Sequence, residues 1–150
     1  MINEELIKKL SSDLISSIKT PKLTLKMAKE ILEKAERKAE SINVPVVIAL
    51  VDDGGNLIAQ HRMDNSILIS IKVSFNKAYT ALALKMSTER FNELALPGKP
   101  LYGLENTGHG ELCILGGGIP IVSNGNIIGA IGVSGGSIDE DIQIAQAALK

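Results

Sequence analysis

The sequence predicts a three-layer α/β/α (α+β) domain built on a five-stranded antiparallel sheet. The first observation is Ile119–Gly136, IPIVSNGNIIGAIGVSGG, where two apolar runs flank Asn124-Gly125. Asn-Gly is a strong hairpin signal because both residues tolerate positive φ in a type I′ turn. The second is a matching pair of apolar runs, Val44–Asp52 and Leu57–Asp64, around Asp53-Gly54-Gly55-Asn56. The third is helical periodicity on both sides of these hairpins. Short hairpin links demand antiparallel pairing.

Taken in order, residues 3–18 read as an amphipathic helix. Leu6, Leu10, Leu14 and Ile18 recur at i, i+4 beside Ile7 and Ile15, with Asn3 as cap and Lys19-Thr20-Pro21 as stop. Residues 24–42 carry a second stripe, Leu25, Ala28, Leu32, Ala35, Ala39 and Ile42, opposite a face of mixed charge that is read as solvated. Val44–Asp52 is nearly unbroken in Val, Ile, Leu and Ala and reads as a strand covered on both faces. Leu57–Asp64 returns with alternation: His61 and Met63 on one face, Arg62 and Asp64 on the other. Residues 66–86 read as a helix apolar on more than one side, which predicts burial against the sheet and against another subunit. Thr88 is expected to cap a short helix to about Leu94, and Pro97–Gly110 to be an irregular connection. Leu112–Leu115 is assigned as the third strand, Gly116-Gly117-Gly118 as a bend, and the hairpin follows. Gly129 and Gly132 inside its second strand predict close approach of another backbone or helix. Ser137-Ile138-Asp139-Glu140 is a capping box, opening a last helix with Ile138, Ile142, Ala145 and Leu149 inward.

The 150 residues suit one domain, 1–150, without linker or repeat. Net charge of -1 argues against a nucleic-acid footprint, and no run reaches the roughly 20 apolar residues of a membrane span. One cysteine excludes an internal disulfide, and the acidic start MINEEL is not a signal peptide, so a cytoplasmic protein is expected.

Candidate chemistry is sparse. Gly129-x-x-Gly132-x-x-Gly135 has the wrong spacing for a dinucleotide fingerprint. The amides of Gly116–Gly118 could cradle an anion, but no Lys-Ser/Thr follows, and a sharp turn is the stronger reading; Gly117 and Gly118 stay in the candidate set. His61, Arg62 and Asp64 end a strand beside a helix. Arg62 could take a carboxylate, or Asp64 could pair with it or cap the helix at Ser66. Lys77 is either partly buried or, the favoured reading, snorkels to solvent. No metal-ligand spacing and no catalytic constellation appear, so no metal and no catalytic residue are assigned. Cys113 reads as a buried small hydrophobe.

Three segments together, DDGGNLIAQHRMD (52–64), KAYTAL (77–82) and GGGIPIVSNGNIIGAIGVSGGSIDED (116–141), resemble the GlcG/HbpS family, which includes the C-terminal domain of PduO proteins. The resemblance covers about residues 20–150. It implies a profilin-like five-stranded antiparallel sheet flanked by helices, self-assembly into homo-oligomers, haem binding in some members, and association with glycolate or propanediol metabolism, including metabolic microcompartments. PduO's adenosyltransferase activity belongs to a separate domain and is not implied. A haem iron needs an axial donor, and His61, Met63, Tyr79, Tyr102, His109 and Cys113 are available. The leading expectation is a non-catalytic, oligomeric small-ligand-binding protein, taking haem, another tetrapyrrole or a small anionic metabolite, with candidate ligand residues His61, Arg62, Asp64, Lys77, Gly117 and Gly118. The rivals are an enzyme using Arg62, Asp64 and Lys77 on a small carboxylate at an intersubunit pocket, and a ligand-free accessory subunit.

Overall fold

The computed structural model describes residues 3–18 and 21–150. Helix α1 spans Glu4–Ile18, α2 Leu25–Ser41, strand β1 Val47–Asp52, β2 Leu57–Arg62, α3 Ser70–Leu84, α4 Thr88–Ala95, β3 Gly118–Ser123, β4 Asn126–Ser134 and α5 Ile138–Ala148. The strands form one sheet in the order β2-β1-β4-β3, antiparallel throughout. The sheet therefore has four strands among the described residues, not five. Leu112–Leu115 is coil: the Cys113 N–H donates to Thr80 Oγ1 (2.8 Å), so α3 captures the backbone group a neighbouring strand would need.

The three layers are as expected. β1 is buried on both faces, with Val46 to Val51 wholly inaccessible. On one face Val46, Ile48, Leu50, Ile131 and Val133 meet Ala28, Leu32, Ala35 and Ala39 of α2 and Ile144, Ala145 and Ala148 of α5. On the other, Val51 and Ala130 meet Ala78 and Ala81 of α3. The Asn124-Gly125 turn has φ of 49° and 77°, the two positive values a type I′ hairpin requires.

Local signals are obeyed. Asn3 Oδ1 accepts from the Glu5 N–H and Thr24 Oγ1 from the Met27 N–H, and the Ser137–Glu140 box closes in both directions. The short helix is capped by Ser87, whose Oγ accepts from the Arg90 N–H; Thr88 is instead buried, its Oγ1 accepting from the Gly118 N–H. In α5 the inward residues are Asp141, Ile144, Ala145 and Ala148, whereas Ile138 is exposed. In α1 the stripe Leu6, Ile7, Leu10, Leu14 and Ile15 lies exposed, and the expected stop at Lys19-Thr20 falls outside the described residues.

The largest departure is α3. It starts at Ser70, and Ile67, Leu68 and Ile69 precede it as exposed residues. Its buried residues are Ser70, Ser74, Asn76, Lys77, Ala78, Thr80 and Ala81, small or polar side chains rather than the large apolar ones. The cause is proximity: a methyl on Gly132 would overlap the Ser74 carbonyl, and one on Gly118 the Lys77 carbonyl. A helix backbone this close to the sheet leaves no room for Leu or Ile between them. The prediction of close approach thus holds at Gly132, and at Gly129 as well, where an added methyl would overlap the Val51 backbone carbonyl of the neighbouring strand.

Candidate functional site

The sequence-derived candidates separate into two groups. Lys77, Gly117 and Gly118 come together where α3, β4 and α5 converge. Lys77 is 2% exposed, so the snorkelling reading fails. Its Nζ donates to Asp141 Oδ2 at 2.7 Å and to the Val133 carbonyl at 2.8 Å. The other Asp141 oxygen accepts from the Gly136 N–H at 2.9 Å. Burial pushes the Asp141 carboxyl above its ordinary value, against the opposing pull of the Lys77 ammonium and the Gly136 and Gly135 amides. Gly117, at φ 118°, closes the pocket: a Cβ there would sit 3.1 Å from the Lys77 amine and 2.7 Å from the Val133 carbonyl. The group is a buried, hydrogen-bonded ion pair that ties two helices to a strand end. It has no open side for a ligand of any size.

Asp141 shares the acidic first turn of α5 with Asp139 and Glu140. The signal that singles it out is register: positions 141, 144, 145 and 148 share the inward face of α5. Cys113 lies half-buried nearby, its thiol pushed up by burial despite the Leu115 amide and the Lys77 charge. That disfavours the thiolate a metal ligand or nucleophile needs.

The second group is at the end of β2. His61 Nδ1 lies 2.6 Å from Glu36 Oε1 of α2, a partner the sequence did not indicate. Both side chains are part-exposed, so the imidazole is oriented with Nε2 left over. Arg62 points to the α3 face, where its Nη2 donates to the Ser66 carbonyl at a long 3.4 Å. Asp64 neither pairs with Arg62 nor caps Ser66, whose hydroxyl donates to the Met63 carbonyl at 2.7 Å. Arg62, Met63, Asp64 and Asn65 line a cleft of about 260 Å³; Met63, Asp64 and Asn65 also border one of about 360 Å³ against Glu40, Asn43 and Pro45. Arg62 and Asp64 are thus exposed while the Lys77 amine is enclosed by its own protomer, and the structure does not bring the three together. Of the other iron donors, Tyr79 packs beside Phe75 with ring centroids 6.3 Å apart, Met63 leans on the core, and Tyr102 and His109 are exposed on the long loop. Among the described residues no three His, Cys, Asp or Glu gather as a metal site, and no helix is long and apolar enough to cross a membrane.

Residues 23–150 match the family model described as haem degrading protein HbpS-like. The chain belongs to the HbpS-like family. The resemblance carried by residues 52–64, 77–82 and 116–141 is therefore correct. An uncharacterized 15.0 kDa protein from the dhaT-dhaS intergenic region of Citrobacter freundii is 45% identical over 127 residues, covering 85% of this chain and 89% of that one. The corrinoid adenosyltransferase PduO of Salmonella typhimurium is 37% identical over 120 residues, 80% of this chain. That match spans only 36% of PduO. Among solved structures, the PduOC:heme complex shares 35% identity at a TM-score of 0.84, covering 86% of this chain and 94% of that one. The fold shared by HbpS-like proteins is accordingly the part that begins at Leu23, where α1 has already ended.

Proposed function

We propose that this HbpS-like chain binds haem, with His61 as the axial donor. The observation that carries the reading is the close match to a structure solved as a haem complex. The chemistry of the donors favours His61 among the six candidates. Its Nδ1 is held by a carboxylate 2.6 Å away, which fixes the ring and leaves Nε2 for the iron, the arrangement seen around many metal-bound imidazoles. Cys113 is disfavoured by its raised thiol, and Tyr79 and Met63 by their packing.

Bound haem would supply a redox-active, ligand-accepting iron; what this chain supplies is an imidazole oriented by Glu36. Haemin titration of the purified protein tests the reading. The expected result is a saturable red-shift of the Soret band that His61→Ala abolishes and Glu36→Gln weakens about tenfold. An unshifted Soret band would leave the accessory-subunit reading, and an unchanged shift in His61→Ala would move the donor elsewhere.

A further inference from the structure

Two dipeptides in this chain place a glycine amide directly after an acyl side chain of the length that closes a cyclic imide: Asp53-Gly54 and Asn124-Gly125. Both lie in exposed hairpin turns, and the fold treats their glycine nitrogens differently. In the β1–β2 turn the Gly54 N–H donates to Asp52 Oδ1 at 2.9 Å, and the same oxygen accepts from the Asn56 N–H at 2.9 Å. A carboxylate acceptor holds the amide proton and fixes the peptide plane. In the β3–β4 turn no acceptor takes the Gly125 N–H among the described residues. Outside its chain neighbours, no atom lies within 4 Å of where a Gly125 Cβ would stand.

The backbone at Asn124 is already set for ring closure. Its φ is 49°. A type I′ turn becomes type II′ when the central peptide plane rotates while that φ stays positive. The rotation brings the Gly125 nitrogen into line with the Asn124 side chain, and here it turns into open solvent. The tie across it is a long one, the Asn126 Nδ2 donating to the Asn124 carbonyl at 3.3 Å.

We propose that Asn124 is a site of covalent self-modification in the folded protein. The Gly125 nitrogen bonds to Asn124 Cγ and the Cγ–Nδ2 bond breaks. The proton lost by the Gly125 amide leaves with Nδ2 as ammonia, carried by solvent. Water then opens the imide. Addition at Cγ gives aspartate; addition at the backbone carbonyl gives isoaspartate, with the main chain rerouted through Cβ and Cγ. Either product replaces a neutral amide by a carboxylate. Isoaspartate also lengthens the main chain by one atom, which a two-residue loop between paired strands does not accommodate. The pairs beside the turn, Ser123 with Asn126 and Val122 with Ile127, are the first to be lost. The co-reactant is water, and the isoaspartyl product is a substrate for the class of methyltransferase that esterifies such carboxyls. The inference does not rest on the haem reading, since His61 stands on the opposite edge strand.

Incubation of the full chain at mildly alkaline pH, followed by peptide mapping and enzymatic methylation of isoaspartyl carboxyls, tests it. The expected result is a mass change matching loss of ammonia and uptake of water, confined to the peptide carrying Asn124, with methyl acceptance rising alongside. Asp53→Asn builds a second Asn-Gly pair where Gly54 is held, and that pair should convert about tenfold or more slowly than Asn124. In the unsubstituted chain the rate should stay flat across urea concentrations below the unfolding transition. An Asn124 that remains an amide overturns the proposal. So does a rate that climbs with the unfolded fraction, or equal conversion of the two pairs in Asp53→Asn. The urea series needs no variant, so it decides the native-state route even if Asp53→Asn folds poorly.

Discussion

On the face covered by α2 and α5 the sheet presents Ile48, Leu50, Ile131 and Val133; on the face covered by α3, β4 presents Ala130, Gly132 and Ser134. The first face is filled with branched aliphatic side chains, so helix and sheet backbones are held apart by side-chain volume. The second is lined mainly by small residues beside Val51, so the α3 backbone rests near the sheet at β4, and polar pairs such as Ser70–Ser134 (3.0 Å) and Lys77–Asp141 take much of the place of an oily layer. A side-chain layer can repack by changing rotamers, while a backbone-to-backbone contact cannot. The aliphatic face should therefore be tolerant, and the α3 face should be exacting.

The largest effect should come from adding volume to the exacting face. Gly132→Val would drive a side chain into the Ser74 carbonyl and should destabilise by about 3 kcal/mol or more, with Leu32→Met on the opposite face costing less than about 1.5 kcal/mol. Urea unfolding of the two variants checks the contrast, and comparable midpoints would remove it. Next comes the polar substitute for a core. Lys77→Ala leaves Asp141 buried without its cation and should cost about 3–5 kcal/mol, whereas replacing both partners with apolar residues, Lys77→Met with Asp141→Leu, should recover most of that. Equal losses in the single and double variants would show that the pair acts through something other than burial of an unpaired charge.

The smallest effect sharpens the comparison at the surface of the same α5 helix. The Ser137 backbone and side-chain groups hold the Glu140 carboxyl below its ordinary value of 4.5. The unfolded chain thus binds a proton at Glu140 more readily than the folded one. The box contributes stability that is fully present above the ordinary value and is lost as pH falls through the lower folded one. Glu140→Gln should flatten the acid limb of the stability-versus-pH curve by lowering its neutral region, with the acid end nearly unchanged. An unaltered acid limb, measured by thermal unfolding across that range, would count against the box as the source.

Much of the fold was legible because local chemistry dictates it. Asn124-Gly125, the Ser137–Glu140 box and the α2 stripe each encode a structure that needs only neighbours in sequence. Leu112–Leu115 was misread as a strand because a four-residue apolar run says nothing about where its backbone hydrogen bonds go; Thr80 takes one of them. The candidate residues do not form one group. Arg62, Asp64 and Lys77 are close in sequence logic yet divide between an exposed strand end and a sealed pocket.

The amphipathic stripes of α1 and α2 look alike in sequence, and only α2 is covered. Periodicity determines that a helix forms and which side is apolar, because both depend on residues a turn apart. Which surface receives that side depends on chain segments far away in sequence. The sequence by itself thus determined the turns, the caps, the strands of the two hairpins and membership of the HbpS-like family. The tertiary structure alone decided that Lys77 meets Asp141 and that Glu36 orients His61. Each of those facts joins groups whose separation along the chain carries no local signal, so only the packed fold can bring them within hydrogen-bonding reach.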